Sequence, residues 1–393
     1  MALIVGAPHR PVPAATDLPG HHPGADRGAP VDPRALRRVL VVRADNIGDV
    51  VMAVPAVRAL RVVAPQARID LLASPAGARV APMVPEIDGV VETSPSWQQL
   101  SAGETGVGAQ VAAEWTLLDE LRCGGYDALL VFTSSTQSPW PVAHLGLMAG
   151  IALRAVHSAE FGGTVATHWV TPPPEGTHQV DRCLHLLAAI GLAPTDPGRT
   201  PALDVPPAAQ DEADAALAGS GLRSGEPFVA LAPGASCASR RYPAERFAVA
   251  AAAIAAAGLP VRVTGAETEI GLVAAVAETA GHRDVRVLRP TSVPGFAGVL
   301  RRAAVAVTNN SGGMHLADAV GTPLVVTWAG TEPHAAMAPR SVPAALLGRR
   351  VPCSPCRLLT CPYDHGCLDV TPARVVAAVL ERVGVPLEVP CAR

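Results

Sequence analysis

Lysine is absent from this chain, so all 31 of its basic residues are arginine. Aromatic residues make up only 3% of the sequence. No apolar run reaches the roughly 18 to 20 residues that a membrane-spanning helix needs, and the N-terminus lacks the basic start of a signal peptide. The formal charge of −3 argues against a nucleic-acid partner, which usually requires a basic surface. These absences predict a cytoplasmic protein with no transmembrane segment, and they leave peripheral contact with a membrane surface open.

The chain is long enough for two domains, each with its own core, because it has 393 residues of which 49% are hydrophobic. Residues 1–33 are rich in proline, glycine and histidine, which predicts a disordered tail. A second segment dense in proline and glycine, residues 191–207, indicates a linker. We therefore predict domains at 34–195 and 208–345, a linker at 196–207, and a final cysteine-containing segment and helix at 346–393.

Short apolar runs alternate with helical patterns in both predicted domains, which favours an α/β fold with parallel sheets. The predicted strands are 39–43, 69–73, 89–92, 128–132 and 155–157 in the first domain, and 228–232, 260–265, 285–288, 304–308 and 323–327 in the second. The predicted helices are 50–63, 74–84, 116–122 and 180–190, then 244–257, 269–280, 296–303 and 314–320. Two such domains in tandem usually enclose a ligand cleft.

The segment RADNIGDVV, residues 43–51, follows the first predicted strand and opens the first helix. Ligands of open α/β sheets bind beyond the carboxyl ends of the strands. Asp49 is therefore a candidate general base. An acid in a first helical turn also stabilises the helix dipole, so a purely structural role for Asp49 stays open.

Three loops of the second domain combine small residues with arginine, glutamate or histidine at strand ends. Small residues leave backbone N–H groups accessible, a helix amino end favours an anion, and arginine matches phosphate geometry. Together the loops predict a site for a nucleotide diphosphate, although a single loop of this kind is more often an ordinary turn of an α/β fold. The candidate residues are Ser236, Arg240, Arg241, Gly265, Glu267, Asn310, Ser311, Gly312, Gly313 and His315, with Gly48 and Asp49 facing them.

With these motifs in place, the sequence resembles glycosyltransferase family 9, which includes the ADP-heptose heptosyltransferases. Four segments in order carry the resemblance, which runs from about residue 38 to 383: RADNIGDVVMAVPAVRAL, LAPGASCASRRYPAERF, VTGAETE and TNNSGGMHLADAVGTPLVV. The resemblance implies a GT-B fold, in which two Rossmann-like domains face each other across a cleft. It also implies an inverting, metal-independent transfer of a sugar such as heptose, from a nucleotide-diphosphate donor to a hydroxyl of a glycan, lipid-linked or metabolite acceptor.

The resemblance also implies roles for single residues. Asp49 matches the acid proposed to deprotonate the acceptor, and Arg240 stands where many members have a lysine that contacts the diphosphate. Glu267 matches a ribose-binding glutamate, and Ser311, Gly312 and His315 match the loop around the phosphates. Asn310 departs from the family pattern, since members commonly have aspartate there, and an amide carries no negative charge. A nucleotide-sugar binding protein without transfer activity is therefore the alternative, and a GT-B nucleotide-sugar epimerase is a third hypothesis.

Four of the eight cysteines lie close together in sequence, at Cys353, Cys356, Cys361 and Cys367. The first two have the Cys-x2-Cys spacing found in structural zinc sites, whereas the spacing of the last two is less regular. A loop with reduced thiols is favoured over zinc for an intracellular protein. No cofactor is expected, and the alternative zinc site would use all four thiolates.

Overall fold

The structure is a computed structural model that describes residues 28–98, 106–134 and 136–384. Most of the predicted tail and Cys391 lie outside the described residues. At the start of the described chain, the Val31 N–H donates a 2.9 Å hydrogen bond to the Ile190 carbonyl. Within the described ranges, no helix combines the length and apolarity needed to cross a bilayer.

The N-terminal half is a six-stranded parallel sheet with helices around it. Its strands follow the order β3-β2-β1-β4-β5-β6. The strands are β1 (Arg38–Arg43), β2 (Arg68–Ala73), β3 (Gly89–Glu92), β4 (Ala128–Val131), β5 (Leu153–His157) and β6 (His168–Val170). The helices are α1 (Ile47–Val63), α2 (Pro75–Ala78), α3 (Val107–Gly124), α4 (Trp140–Met148) and α5 (Gln179–Ala189).

The C-terminal half repeats this topology, with the order β12-β11-β10-β7-β8-β9. Its strands are β7 (Val229–Ala232), β8 (Val261–Val263), β9 (Val285–Val287), β10 (Val305–Asn309), β11 (Leu324–Thr327) and β12 (Ala344–Leu347). Its helices are α6 (Pro207–Gly219), α7 (Ala244–Ala256), α8 (Ile270–Ala280), α9 (Val293–Arg302), α10 (Gly312–Ala319), α11 (His334–Met337) and α12 (Pro372–Val383). Strand order reverses between β1 and β4 and between β7 and β10, where ligands of such sheets bind.

The predicted α/β class with two Rossmann-like sheets is confirmed. The central strands read as continuous apolar runs because helices cover both faces of each sheet; Val39, Leu40 and Val41 in β1 are fully buried. Alanine-rich α7 packs against α8 and α12, so small side chains fill a core that has few aromatic residues.

Several predicted elements need correction. The predicted helix at 74–84 is the short α2 followed by a 3-10 turn, Ala81–Met83, because Pro82 has no N–H to continue a helix. The helix predicted at 116–122 is the longer α3. Five elements were not predicted: α4, β6, α6, α11 and β12. The edge strands β6 and β12 have only three and four residues, which leaves little pattern to detect.

The two halves share a core as well as a cleft. One buried apolar cluster includes Val50 to Leu60 of α1 together with Met314, Leu316 and Ala317 of α10. Between the halves, the Leu203 N–H donates a 3.0 Å hydrogen bond to the Ala319 carbonyl. These contacts hold the carboxyl edges of the two sheets toward each other.

We expect Ile254→Ala in α7 to lower the free energy of unfolding by about 2–5 kcal/mol, because Ile254 is fully buried and the substitution leaves a cavity. The matched control is Ile270→Ala in α8, where the side chain is 46% exposed. It should change stability by no more than about 0.5 kcal/mol. Urea denaturation measures the free energy of unfolding of both variants. Equal losses of stability in the two would contradict the burial of Ile254.

Candidate functional site

A cleft of about 990 Å3 lies between the carboxyl edges of the two sheets. The structure brings nearly all of the sequence-predicted site residues to its walls. The N-terminal wall contributes Gly48 and Asp49; the C-terminal wall contributes Ser236, Arg240, Gly265, Glu267, Asn310, Ser311, Gly312, Gly313 and His315.

Arg241 is the predicted site residue that does not line the cleft. Its Nε and Nη2 atoms donate hydrogen bonds of 3.2 and 3.1 Å to the carbonyl of Ala235. Ala235 itself lines the cleft. Arg241 therefore orders the loop after β7 from outside the cleft.

Asp49 is held by a buried arginine that the sequence did not single out. Arg43 ends β1 and has no exposed surface; its Nη2 lies 2.8 Å from Oδ1 of Asp49 and its Nε lies 2.9 Å from Oδ2 of Asp45. Burial alone would lower the pKa of Arg43, but the attraction of Asp45 and Asp49 outweighs it and raises the pKa above its usual value. A permanently charged guanidinium thus holds the Asp49 side chain in place beside the cleft, where 22% of that side chain is exposed.

Asp45 completes this charge cluster. Its side chain accepts a hydrogen bond from Gln137 and its carbonyl accepts one from Ser74. Burial raises the pKa of Asp45, against the opposing effect of Arg43. Asp45 and Asp49 thus share one cation, and the more exposed Asp49 is the better placed to accept a proton from a ligand in the cleft.

The amino ends of α1 and α10 meet across the cleft. A Cβ atom at Gly48 would lie 2.5 Å from Cδ2 of His315, and one at Gly312 would lie 3.3 Å from Cβ of Ile47. A side chain at Gly48 would therefore force the helices apart or displace His315, and one at Gly312 would require a small shift of Ile47. Ser311 precedes α10 without capping it through its side chain, and no other side chain of the described residues accepts from the first-turn N–H groups of α10.

His315 is buried at this junction, with 9% of its surface exposed. Burial lowers its pKa to about 4, while the charge of Asp49 opposes that shift and His178 and Arg240 reinforce it. His315 is consequently neutral near pH 7. A neutral imidazole can donate one hydrogen bond to a phosphate oxygen without adding a second cation beside Arg240.

Arg240 has a carboxylate partner that sequence reasoning missed. Its Nη2 lies 3.1 Å from Oε1 of Glu332, and its Nε donates a 3.0 Å hydrogen bond to Oγ1 of Thr331. Burial raises the pKa of Glu332, although Arg240 and Arg357 act in the opposite direction. Glu332 therefore occupies one edge of the Arg240 guanidinium at the cleft.

The loop after β8 carries two glutamates that differ in surroundings. Glu267 lines the cleft and makes no hydrogen bond through its carboxylate within the described residues. Glu269 accepts a 3.0 Å hydrogen bond from the Ala266 N–H. Its carboxylate also lies against Gly234, where a Cβ atom would clash with it. Glu267 is the freer of the two to accept hydrogen bonds from ligand hydroxyls.

Asn310 binds the backbone of the segment after β11 and also lines the cleft. Its Oδ1 accepts from the Ala329 N–H at 2.9 Å, and its Nδ2 donates to the Ala329 carbonyl at 3.2 Å. An aspartate could accept the first hydrogen bond but could not donate the second. The Asn310 amide is therefore suited to bind both backbone groups of Ala329.

Asn309, the residue before it, connects four segments of the C-terminal half. Its Nδ2 donates to the carbonyls of Pro233 and Gly234, and its Oδ1 accepts from the Tyr242 N–H and the Thr327 hydroxyl. This network fixes the loop after β7 relative to α10. In the sequence, the only indication of this hydrogen-bond network was the pair of adjacent asparagines, Asn309 and Asn310.

The cysteine segment packs beside the cleft. The Cys356 N–H donates to the Gly330 carbonyl and the Arg357 N–H to the Thr331 carbonyl, both at 3.1 Å. Cys353, Cys356, Cys361 and Cys367 are free thiols. Across the described ranges, no three His, Cys, Asp or Glu side chains are grouped as metal ligands. The role of the thiols stays a prediction, while Arg357 spans the cleft through a 2.6 Å ion pair with Glu175.

Comparison with known proteins gives a family match. A model of glycosyltransferase family 9 (heptosyltransferase) matches residues 115–366. No curated protein sequence matches significantly. Similar solved structures include a family 9 glycosyl transferase from Veillonella parvula (18% identity, covering 91% of this chain and 99% of that one, TM-score 0.75). Two others are from E. coli: the ADP-heptose lps heptosyltransferase II (22% identity, 88% and 98%, TM-score 0.68) and WaaC with ADP-2-deoxy-2-fluoro heptose (18%, 88% and 99%, TM-score 0.64). These similarities confirm the GT-B fold.

We expect Arg43→Met to lower the free energy of unfolding by about 3–5 kcal/mol, because it leaves Asp45 and the partly exposed Asp49 without their cation. Protonation of Asp45, whose pKa burial raises, should reduce the loss as the pH falls. The control is Arg122→Met in α3, whose side chain is 57% exposed and lies 3.9 Å from Asp119. Denaturant titrations near neutral and acidic pH measure the free energies of unfolding of both variants. A loss of stability in Arg43→Met that does not change with pH would contradict the charge cluster.

The neutral state of His315 predicts a pH dependence of stability. Its pKa of about 4 in the folded protein is below its usual value, so the unfolded chain binds the proton first and stability falls as the pH drops below about 6.5. When the pH falls from about 7 to about 5, the free energy of unfolding of His315→Gln should decrease by about 1–2 kcal/mol less than that of the parent protein. Identical pH profiles for the two proteins would exclude a buried neutral His315.

Proposed function

Because the chain belongs to glycosyltransferase family 9, we propose that it is an inverting glycosyltransferase that needs no metal ion. Its donor would be ADP-heptose or another nucleotide-diphosphate sugar, and its acceptor a hydroxyl of a glycan, a lipid-linked sugar or a metabolite. One observation carries the proposal: a fixed carboxylate, Asp49, faces an uncapped helix amino end and an arginine across a single cleft. The proposed base and the proposed anion site would thus lie on opposite walls, an arrangement that supports direct displacement between two substrates.

On the N-terminal wall, Asp49 would take the proton of the acceptor hydroxyl as that oxygen attacks the anomeric carbon. Arg43 and the Asn46 N–H each bind the Asp49 carboxylate, at 2.8 and 3.3 Å, so its orientation is set before substrate arrives. Preorganisation of this kind lowers the cost of reaching the transition state. The base must still accept a proton beside a cation, which favours the proton moving on to solvent after transfer.

On the C-terminal wall, the leaving diphosphate gains charge as the glycosidic bond breaks. The N–H groups of Gly312 and Gly313, the α10 dipole and Arg240 would stabilise that charge. Arg240 would exchange Glu332 for phosphate oxygens when donor binds. Glu267 is available for the ribose hydroxyls. The anomeric carbon passes through an oxocarbenium-like state, and attack from the face opposite the leaving group inverts its configuration.

Asn310 motivates the second candidate, a protein that binds nucleotide sugars without transferring them. The family's usual aspartate is missing from the donor wall, and the Asn310 amide is occupied by the Ala329 backbone. Both candidates predict donor binding, and only the first predicts release of the nucleoside diphosphate. A thermal-shift screen of nucleotide sugars identifies the donor, since a ligand of the folded state raises the melting temperature. Product release with that donor separates the two candidates.

We expect Asp49→Asn to lower turnover by about 100- to 10,000-fold while donor affinity stays unchanged, because the amide cannot accept the proton. The donor from the screen is used, with binding measured by calorimetry and turnover by release of the nucleoside diphosphate. Asp204→Asn is the matched control, since Asp204 lies outside the cleft with 66% of its side chain exposed. Near-normal turnover of Asp49→Asn would remove Asp49 from the role of base.

A further inference from the structure

We propose that Arg357 of the cysteine segment is a second binding residue for the donor diphosphate, beside Arg240, and that Glu175 on the opposite wall competes with the diphosphate for it. The proposal rests on the proposed function, because it treats the cleft as the site of a nucleoside diphosphate. It gives the cysteine segment, residues 353–367, a part in binding. It also makes an ion pair between the two halves sensitive to the donor.

Four arginines line the cleft, two on each wall. On the N-terminal wall, Arg79 follows α2, and Arg182 on α5 donates a 3.2 Å hydrogen bond to the Thr133 carbonyl. On the C-terminal wall, Arg240 belongs to the loop after β7 and Arg357 to the cysteine segment. These last two are far apart in sequence, and the fold brings them together.

Both arginines of the C-terminal wall are attached to Thr331, in the loop after β11. The Nε atom of Arg240 donates a 3.0 Å hydrogen bond to the Thr331 hydroxyl, and the Arg357 N–H donates a 3.1 Å hydrogen bond to the Thr331 carbonyl. Ser239, next to Arg240, joins the same two segments, since its N–H donates at 3.1 Å to the carbonyl of Leu359. Arg240 and Arg357 are therefore neighbours on one wall.

The side chains of these two arginines also act on the same carboxylate, that of Glu332. Nη2 of Arg240 lies 3.1 Å from Oε1 of Glu332. The charges of Arg240 and Arg357 both oppose the rise in the pKa of Glu332 that burial causes. Two guanidinium groups thus surround one carboxylate at the cleft. Such a pair matches a ligand with more than one negative charge, because each guanidinium can donate to its own phosphate group.

The backbone at Arg357 lies in the left-handed region, with φ of 55°. This conformation is unfavourable for a residue with a long side chain, and it persists where the surrounding contacts impose it. The Cys356 N–H donates to the Gly330 carbonyl at 3.1 Å, one residue before the contact of Arg357 with Thr331. The loop after β11 thus fixes the strained residue, whose side chain lines the cleft. Strain of this kind is concentrated at functional sites.

Glu175 is the carboxylate that Arg357 contacts, and it comes from the other half of the chain. It lies in the loop between β6 and α5, and its Oε1 is 2.6 Å from Nη2 of Arg357. The Glu175 side chain is 74% exposed and that of Arg357 is 36% exposed. An exposed ion pair contributes little stability, so phosphate oxygens can replace the carboxylate. A diphosphate that binds Arg357 would therefore also release a contact between the two walls.

Binding of ADP and of inorganic pyrophosphate, measured by calorimetry on the full chain, tests the proposal. Pyrophosphate presents the two phosphates without a base or a sugar. We expect Arg357→Gln to weaken the binding of both probes about 10-fold, because it removes a charge-assisted contact. Arg357→Lys should retain part of the affinity. The matched control is Arg349→Gln, whose side chain is 67% exposed outside the cleft and pairs with Asp369.

Glu175→Gln should have the opposite effect, which a purely structural role of the ion pair does not predict. We expect both probes to bind about 2- to 5-fold more tightly, because the carboxylate no longer competes for Arg357. The gain should disappear in the double variant with Arg357→Gln. The control is Glu381→Gln, with 71% of its side chain exposed outside the cleft. Because Glu175 is exposed, this variant tests the proposal even where Arg357→Gln does not fold.

Three results would overturn the proposal. The first is that neither probe binds the parent protein. The second is that Arg357→Gln binds both probes as tightly as the parent does. The third is that Glu175→Gln brings no gain in affinity, or a gain that persists in the double variant.

Failure of this site is distinguishable from failure of the proposed function. If nucleotide sugars are turned over while Arg357→Gln binds both probes normally, the transferase stands and the role of Arg357 falls. If ADP and pyrophosphate bind through Arg357 while no nucleotide sugar is turned over, the diphosphate site stands and the transferase assignment falls.

Discussion

The close approach of the amino ends of α1 and α10 is the constraint on which the rest of the site depends. Gly48 and Gly312 permit it, since a side chain at either position would meet His315 or Ile47. The approach brings the carboxyl edges of two separate sheets to one cleft. It also aligns two helix dipoles with their positive ends toward the same space, which favours anionic ligands there. A carboxylate on one wall, with an arginine and a helix amino end on the other, follows from this single contact.

Most of the charged side chains around the cleft are paired with one another. Arg43 is committed to Asp45 and Asp49, and its burial keeps it there. Arg240 and Arg357 hold Glu332 and Glu175, which are partners that a diphosphate or a change of cleft width could displace. Arg182 has no carboxylate partner among the described residues. The two walls thus differ: the arginines of the C-terminal wall are in ion pairs, whereas Arg182 on the N-terminal wall hydrogen-bonds to a backbone carbonyl.

Prediction from sequence succeeded where local pattern was strong. Buried strands such as β1 and β7, and helices such as α7, have apolar patterns that depend little on the rest of the chain. It failed for the short edge strands β6 and β12 and for α6, whose alanine-rich pattern lies beside the predicted linker. Among site residues, nearly all of those predicted from the strand-end loops line the cleft. The sequence did not indicate Arg43, Glu332 or Arg182, because their importance depends on neighbours that the fold supplies. Arg241 follows Arg240 in the same motif, but its contact with the Ala235 carbonyl places it outside the cleft.

The sequence by itself determined the α/β class, the two Rossmann-like halves and the strand-end position of Asp49, because these depend on spacing along the chain. The four ordered motifs also identified the family. Tertiary structure decided which charges remain available to a ligand. Whether an arginine is neutralised, hydrogen-bonded to backbone or left without a partner depends on residues distant in sequence, as Arg240 with Glu332 and Arg182 with Thr133 show. Electrostatic energy depends on distance and burial, and neither is encoded in local pattern.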